Sequence, residues 1–161
     1  RVLLEMDRLL RDAKSTPKTA IAKQLHDIAL MMKRRSFVIV LSDFLSEADD
    51  VLSGLEHLRF AGHNVMVLHT MDPHELEFPF EGTWQFDGLE GEEPLITQPE
   101  RIKEDYLSNL NEYLTTFRDG CVASQIDYAL VETSRPLDVF LNEFFHQRES
   151  LLNGSSDRAG S

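Results

Sequence analysis

The sequence predicts a three-layer α/β fold built on a parallel sheet, and three observations carry that prediction. Short apolar runs rich in β-branched residues recur at 36–42, 64–70 and 127–133, each too continuous for a strand with one wet face. Segments with apolar residues at helical spacing lie before, between and after them. The resulting alternation of helix and strand requires crossovers, and crossovers make neighbouring strands parallel.

Taken in order, Val2, Leu3, Met6, Leu9 and Leu10 mark a first amphipathic helix that ends near Ala13. "STPK" supplies a hydroxyl cap and Pro17 in a first turn, and Ile21, Ala22, Leu25, Ile28, Ala29 and Met32 then line one face of a second helix running to about Arg34. "FVIVL", Phe37 to Leu41, reads as a strand covered on both faces and central in the sheet. Ser46 can cap the helix that follows, with Glu47, Asp49 and Asp50 at its positive end, Val51, Leu52, Leu55 and Leu58 facing inward, and Gly62 closing it. "NVMVLHT" and "DYALVET" are the second and third strands. A helix from about Glu100 to Arg118 lies between them, and a last helix carries Leu137, Phe140, Leu141, Phe144 and Phe145.

The section 76–98 breaks this rhythm. "LEFPF", "TWQFDG" and "PLITQ", separated by glycines and Pro94, read as short antiparallel strands in a hairpin insertion. The ending "NGSSDRAGS" is small and polar, so residues 153–161 are expected to be a disordered tail after a single domain spanning 1–152.

A chain of 161 residues is long enough for one core and short for two. Its formal net charge of -12 is spread along the length and repels phosphate backbones and anionic lipid, so nucleic acid is not an expected partner. The basic cluster Lys33, Arg34, Arg35 sits where a helix should end, which suits the helix dipole. No apolar run reaches the roughly 18 to 20 residues of a membrane helix, and no secretory signal is visible. The single cysteine, Cys121, excludes an internal disulfide and reads as a buried structural thiol in a reducing, cytoplasmic setting.

Ligands of open parallel sheets bind beyond the carboxyl ends of the strands. That rule brings Ser42 and Asp43, His69 and Asp72, and the segment Glu132 to Ser134 to one rim. Asp43 could ligate a hard metal, accept a phosphoryl group or merely cap the next helix. "HTMDPHE" gathers His69, Asp72, His74 and Glu75, yet Asp72-Pro73 forces a turn, so a capped rim loop is favoured over a zinc site. His26, His57, His63 and His146 fall on helices or their ends with no partner pattern. Trp84 and Phe86 are expected to cover a sheet edge. No phosphate-binding glycine loop, Walker lysine or nucleophile elbow is present.

Three stretches, "KTAIAKQLHDIALMMKRRSFVIVLSDF", "LRFAGHNVMVLHTMDPHELEFPFEG" and "YLSNLNEYLTTFRDGCVASQIDYALVETSRPLDVFLNEFF", together resemble the C-terminal portion of the bacterial family called domain of unknown function fifty-eight. The resemblance implies a Rossmann-like, von Willebrand factor A-like domain, partial in this chain, commonly encoded beside a MoxR-type AAA ATPase. It implies a metal-ion-dependent adhesion site at the rim, where magnesium is held by an Asp-x-Ser-x-Ser motif, a threonine and a strand-end aspartate, and a partner's carboxylate completes the shell. By resemblance the threonine is Thr19, with Thr16 as fallback, and the aspartate is Asp43.

No Asp-x-Ser-x-Ser occurs in these residues, and the chain opens on Arg1 without Met, so the strand carrying that motif is expected to lie upstream. Two protein ligands with waters hold magnesium weakly, so Mg2+ is expected in the full-length protein and not in this chain alone. The implied function is a non-enzymatic protein interaction module; the alternative is a metal-dependent phosphoryl-transfer or hydrolase domain using Asp43 with His69 or Asp72. A phosphoacceptor receiver domain fits less well, lacking the acidic pair and the strand-end lysine. With the upstream strand missing, Phe37 to Leu41 would present an apolar edge, and such edges pair, so this chain is expected to self-associate.

Overall fold

The computed structural model describes residues 21–86, 95–144 and 146. In chain order the elements are α1 (Ile21–Met31), β1 (Phe37–Ser42), α2 (Ala48–Phe60), β2 (Asn64–Met71), α3 (Pro73–Glu77), β3 (Trp84–Phe86), β4 (Leu95–Thr97), α4 (Pro99–Ala123), β5 (Asp127–Glu132) and α5 (137–144). The expected first helix, Pro17, Thr16, Thr19 and the tail lie outside the described residues.

β1, β2 and β5 form a parallel sheet in the order β1-β2-β5, in register from Phe37 opposite Asn64 and from Met66 opposite Asp127. The sequence therefore placed all three strands of an α/β, Rossmann-like sheet, within a residue at each end. Side chains alternate across this sheet as strand geometry requires. Val38, Val40, Val65, Val67 and Tyr128 meet the larger core, filled by Leu25, Val51, Leu55, Leu58, Phe117 and Cys121 from the helices on that side. Met66, Leu68 and Val131 face the other way, under Phe140 of α5.

Two close approaches set the first layer. A Cβ on Gly54 would meet the Ala22 carbonyl oxygen and the Leu25 Cβ at 3.0 Å, so α1 and α2 cross where only glycine fits comfortably. On Gly120 the same atom would meet the tips of Leu52 at 2.5 and 2.9 Å. α4 runs on past the expected end at Arg118 to Ala123, and Gly120 is the position at which Leu52 of α2 leans on it. Gly62, at φ +90°, closes α2 as the sequence suggests, and its N–H donates to the Arg59 carbonyl.

Three expectations are corrected. β1 is not central: among the described residues it is an edge strand, and Ile39 and Leu41, which share a face with Met66 and Leu68, are 46% and 59% exposed because α5 covers only β2 and β5. Ser46 is not the cap of α2; Glu47 holds that position without a side-chain bond, while the Ser46 N–H turns back to the Phe44 carbonyl. "LEFPF" is not a strand. Asp72 and Glu75 form a capping box around Pro73, which draws Leu76 and Glu77 into α3, and Phe78 ends that helix in the left-handed region. The hairpin survives as the antiparallel pair β3–β4.

Candidate functional site

The carboxyl rim is shaped by what happens to the chain as it leaves β1. Asp43 is exposed, Phe44 is 1% exposed and Leu45 is 77% exposed, so consecutive side chains point out, in and out. Phe44 takes φ +48°, a left-handed conformation that costs a bulky residue about 1 to 3 kcal/mol. Its ring offsets that cost by burial against His69 and Phe117, at centroid distances of 5.1 and 4.9 Å.

Two inward-turned carbonyls complete the anchorage. His69 Nε2 lies 3.1 Å from the Asp43 carbonyl oxygen, and the Tyr113 hydroxyl donates to the Phe44 carbonyl at 2.6 Å. A carbonyl can only accept, so His69 carries its proton on Nε2, and Nδ1 then accepts from the Tyr128 hydroxyl at 3.1 Å. From the strand side, Ser42 Oγ accepts the Phe44 N–H at 3.1 Å and donates to Asp43 Oδ1 at 3.4 Å. Donors from β2, α4 and β1 itself therefore fix the loop that presents Asp43.

Burial dominates the electrostatics beneath that loop. Desolvation lowers the pKa of His69, opposed by its bond to the Asp43 carbonyl and by the Asp43 charge. Tyr113 is pushed up to about 12, first by burial and then by the charges of Asp43 and Glu47. Tyr128 rises to about 12 chiefly by burial. His69 and both tyrosines are consequently neutral hydrogen-bonding groups at physiological pH.

Beside Asp43 lies a cleft of about 280 Å³ between the β1–α2 loop, the end of β2 and α4. Phe44, Leu45, Met71, Tyr106, Leu110 and Tyr113 give it apolar walls, and Asp43, Ser46 and Glu75 contribute polar groups. Burial raises the Tyr106 pKa, and the Glu75 charge adds to the effect. Small apolar pockets with a few convergent polar groups suit recognition of a ligand side chain.

The remaining rim residues are assembled separately. Asp72 Oδ1 accepts from the His74 backbone at 2.8 Å and lies 2.9 Å from His74 Nδ1, and Oδ2 accepts from Thr133 Oγ1 at 3.3 Å. The bond from the His74 backbone, ahead of that from its ring, holds the Asp72 carboxyl below its ordinary pKa. This is the capped rim loop that the Asp72-Pro73 turn implied. Ser42, Asp43 and His69 are brought together; Asp72 serves a neighbouring cap. Among the described residues no three His, Cys, Asp or Glu side chains are grouped to hold a metal. Asp43 and Ser42 by themselves do not fit the octahedral oxygen shell that magnesium demands.

Sequence reasoning missed the roles of Phe44, Tyr113 and Tyr128. The helical spacing of Tyr106, Leu110, Tyr113 and Phe117 makes Tyr113 legible as an inward residue of α4, but not its reach to a carbonyl across 69 positions.

A family model described as "Protein of unknown function DUF58" matches residues 1–113. The chain belongs to the DUF58 family. The DUF58 match includes β1, β2, the anchored loop and α4 as far as Tyr113, while β5 and α5 lie beyond it. No curated protein and no solved structure matches this DUF58 chain. Among its described residues no helix is long and apolar enough to cross a membrane.

Proposed function

We propose that this DUF58 chain is a non-enzymatic protein interaction module with a von Willebrand A-like rim, working with a MoxR-type AAA ATPase in the assembly or activation of protein complexes. The observation that carries this reading is the anchored loop: the Asp43 and Phe44 carbonyls are held by His69 and Tyr113, while Asp43 and Leu45 stay exposed beside an apolar cleft. A preorganised surface loses less conformational freedom on binding, which favours affinity. Hydrogen bonds at both nitrogens of His69 suit a structural role better than proton transfer.

In this reading Asp43 is one outer ligand of a divalent cation bridging to the partner, and the remaining ligands come from outside the described residues. Thr19 is the proposed contributor within the chain.

The test is the affinity of the protein for the purified ATPase, by surface plasmon resonance with and without magnesium. Asp43→Ala should weaken binding at least tenfold and remove the magnesium dependence. Equal binding by the wild type and Asp43→Ala would sink the assignment of this rim.

A further inference from the structure

The side-chain pair least explained by the rim lies where α1 and α2 cross, in the helical layer that also holds α4. His26 and His57 bring their Nδ1 atoms to 2.7 Å, with the ring planes 82° apart. At that distance one nitrogen must carry a proton and the other must not, because two lone pairs or two N–H groups would repel. The two Nδ1 atoms therefore converge on one point.

The crossing that presents them is rigid. Gly54 sits against Ala22 and Leu25 so tightly that an added Cβ would meet both at about 3.0 Å. His57 follows Gly54 by one helical turn and His26 follows Ala22 by one, so both rings leave the crossing on the same side. Sites built on packed helices hold their geometry better than sites on loops.

From this we infer that His26 and His57 form an interhelical site for a borderline divalent cation of the zinc, nickel or copper class. Such ions bond imidazole nitrogen at about 2.0 to 2.1 Å, which places two ligand nitrogens roughly 2.9 Å apart at right angles and roughly 3.3 Å apart in the tetrahedral shell of zinc. Opening the observed 2.7 Å contact by roughly half an ångström satisfies this, and His26 is the exposed partner. The donor ring moves its proton from Nδ1 to Nε2 as the ion enters, so both lone pairs reach it. Water fills the other positions. The bound ion fastens α1 to α2 and so stabilises the fold by mass action. This site stands apart from the rim and does not rest on the proposed function.

Zinc chloride titrated calorimetrically into the full chain should show one saturable site, with a rise in Tm at saturation. His26→Ala and His57→Ala should each weaken binding at least tenfold and abolish the Tm rise, as should His57→Gln, which keeps a polar group at the crossing. His74→Ala, at the rim, should leave both readouts unchanged. Absence of saturable zinc binding, binding that persists in either alanine variant, or loss confined to His74→Ala would each overturn the site and leave the pair as a hydrogen bond only. Magnesium in place of zinc should give no signal that His26→Ala or His57→Ala removes, and magnesium binding lost in either variant would also refute it.

Discussion

The His69 imidazole, itself without exposed surface, reaches across from β2 to hold the backbone carbonyl of Asp43 at 3.1 Å. His69→Phe preserves the aromatic contacts with Phe44 and Phe117 but removes this donor and orphans the Tyr128 hydroxyl. It should destabilise the protein by about 1 to 3 kcal/mol, measured by urea denaturation at neutral pH.

The same residue predicts a pH dependence. Desolvation lowers the folded-state pKa of His69 below its ordinary 6.5, so below about pH 6.5 the unfolded chain binds a proton that the folded chain refuses. More protons on the unfolded state mean that stability falls as pH falls through that region, until the folded-state pKa is reached; below that pKa, and well above pH 6.5, the group contributes no slope. The stability–pH curve of His69→Phe should be flatter between neutral pH and pH 5 than that of the wild type. An unchanged slope would show that His69 titrates normally.

Tyr113→Phe deletes the hydroxyl that donates to the Phe44 carbonyl. That carbonyl also accepts from the Ser46 N–H, so it is not orphaned, and the expected loss is about 1 kcal/mol. Because the loop is loosened, affinity for the ATPase should fall along with Tm. A Tm loss with unaltered affinity would uncouple the anchorage from binding.

The two helix-crossing glycines should respond differently to alanine. Helix propensity favours the change by roughly 0.5 to 1 kcal/mol at either position. At Gly54 the new methyl meets backbone, so a net destabilisation of about 1 to 3 kcal/mol is expected. At Gly120 it meets the flexible end of Leu52, which can turn aside, and the change should be near neutral. Thermal melts of both variants decide this.

Cys121 is fully buried, and desolvation pushes its thiol up to about 12. It should resist a thiol-specific chromogenic reagent under native conditions and react at the rate of unfolding when denaturant is added. Rapid native labelling would contradict its place in the core.

β1 gives a prediction about assembly. Ile39 and Leu41 are about half exposed on an edge strand, and burying them at a contact is worth about 1 kcal/mol each. The 161-residue chain should elute above monomer size in size-exclusion chromatography with light scattering. Ile39→Lys with Leu41→Lys should shift it to monomer without lowering Tm. A monomeric wild type at high concentration would refute the self-association.

Periodicity by itself determined the parallel strands, the helices that cross between them and the rim on which Asp43, His69 and Asp72 lie, because apolar spacing reports which faces must leave water. The Asp72-Pro73 turn made a capped rim loop legible as well, but not α3 itself, whose Leu76 and Glu77 read as the start of a strand. Tertiary structure decided between two expectations for β1: its composition reads as central, the family resemblance implied an uncovered edge, and among the described residues it is an edge strand, as a strand's own composition does not say what covers it. It decided the cap of α2 too, where the Ser46 N–H was drawn to a carbonyl instead. The anchored loop depends on residues 26 and 69 positions from the carbonyls they hold, and the meeting of His26 with His57 spans 31. Such contacts follow from how helices cross and strands register, and neighbouring residues in the chain carry no trace of them.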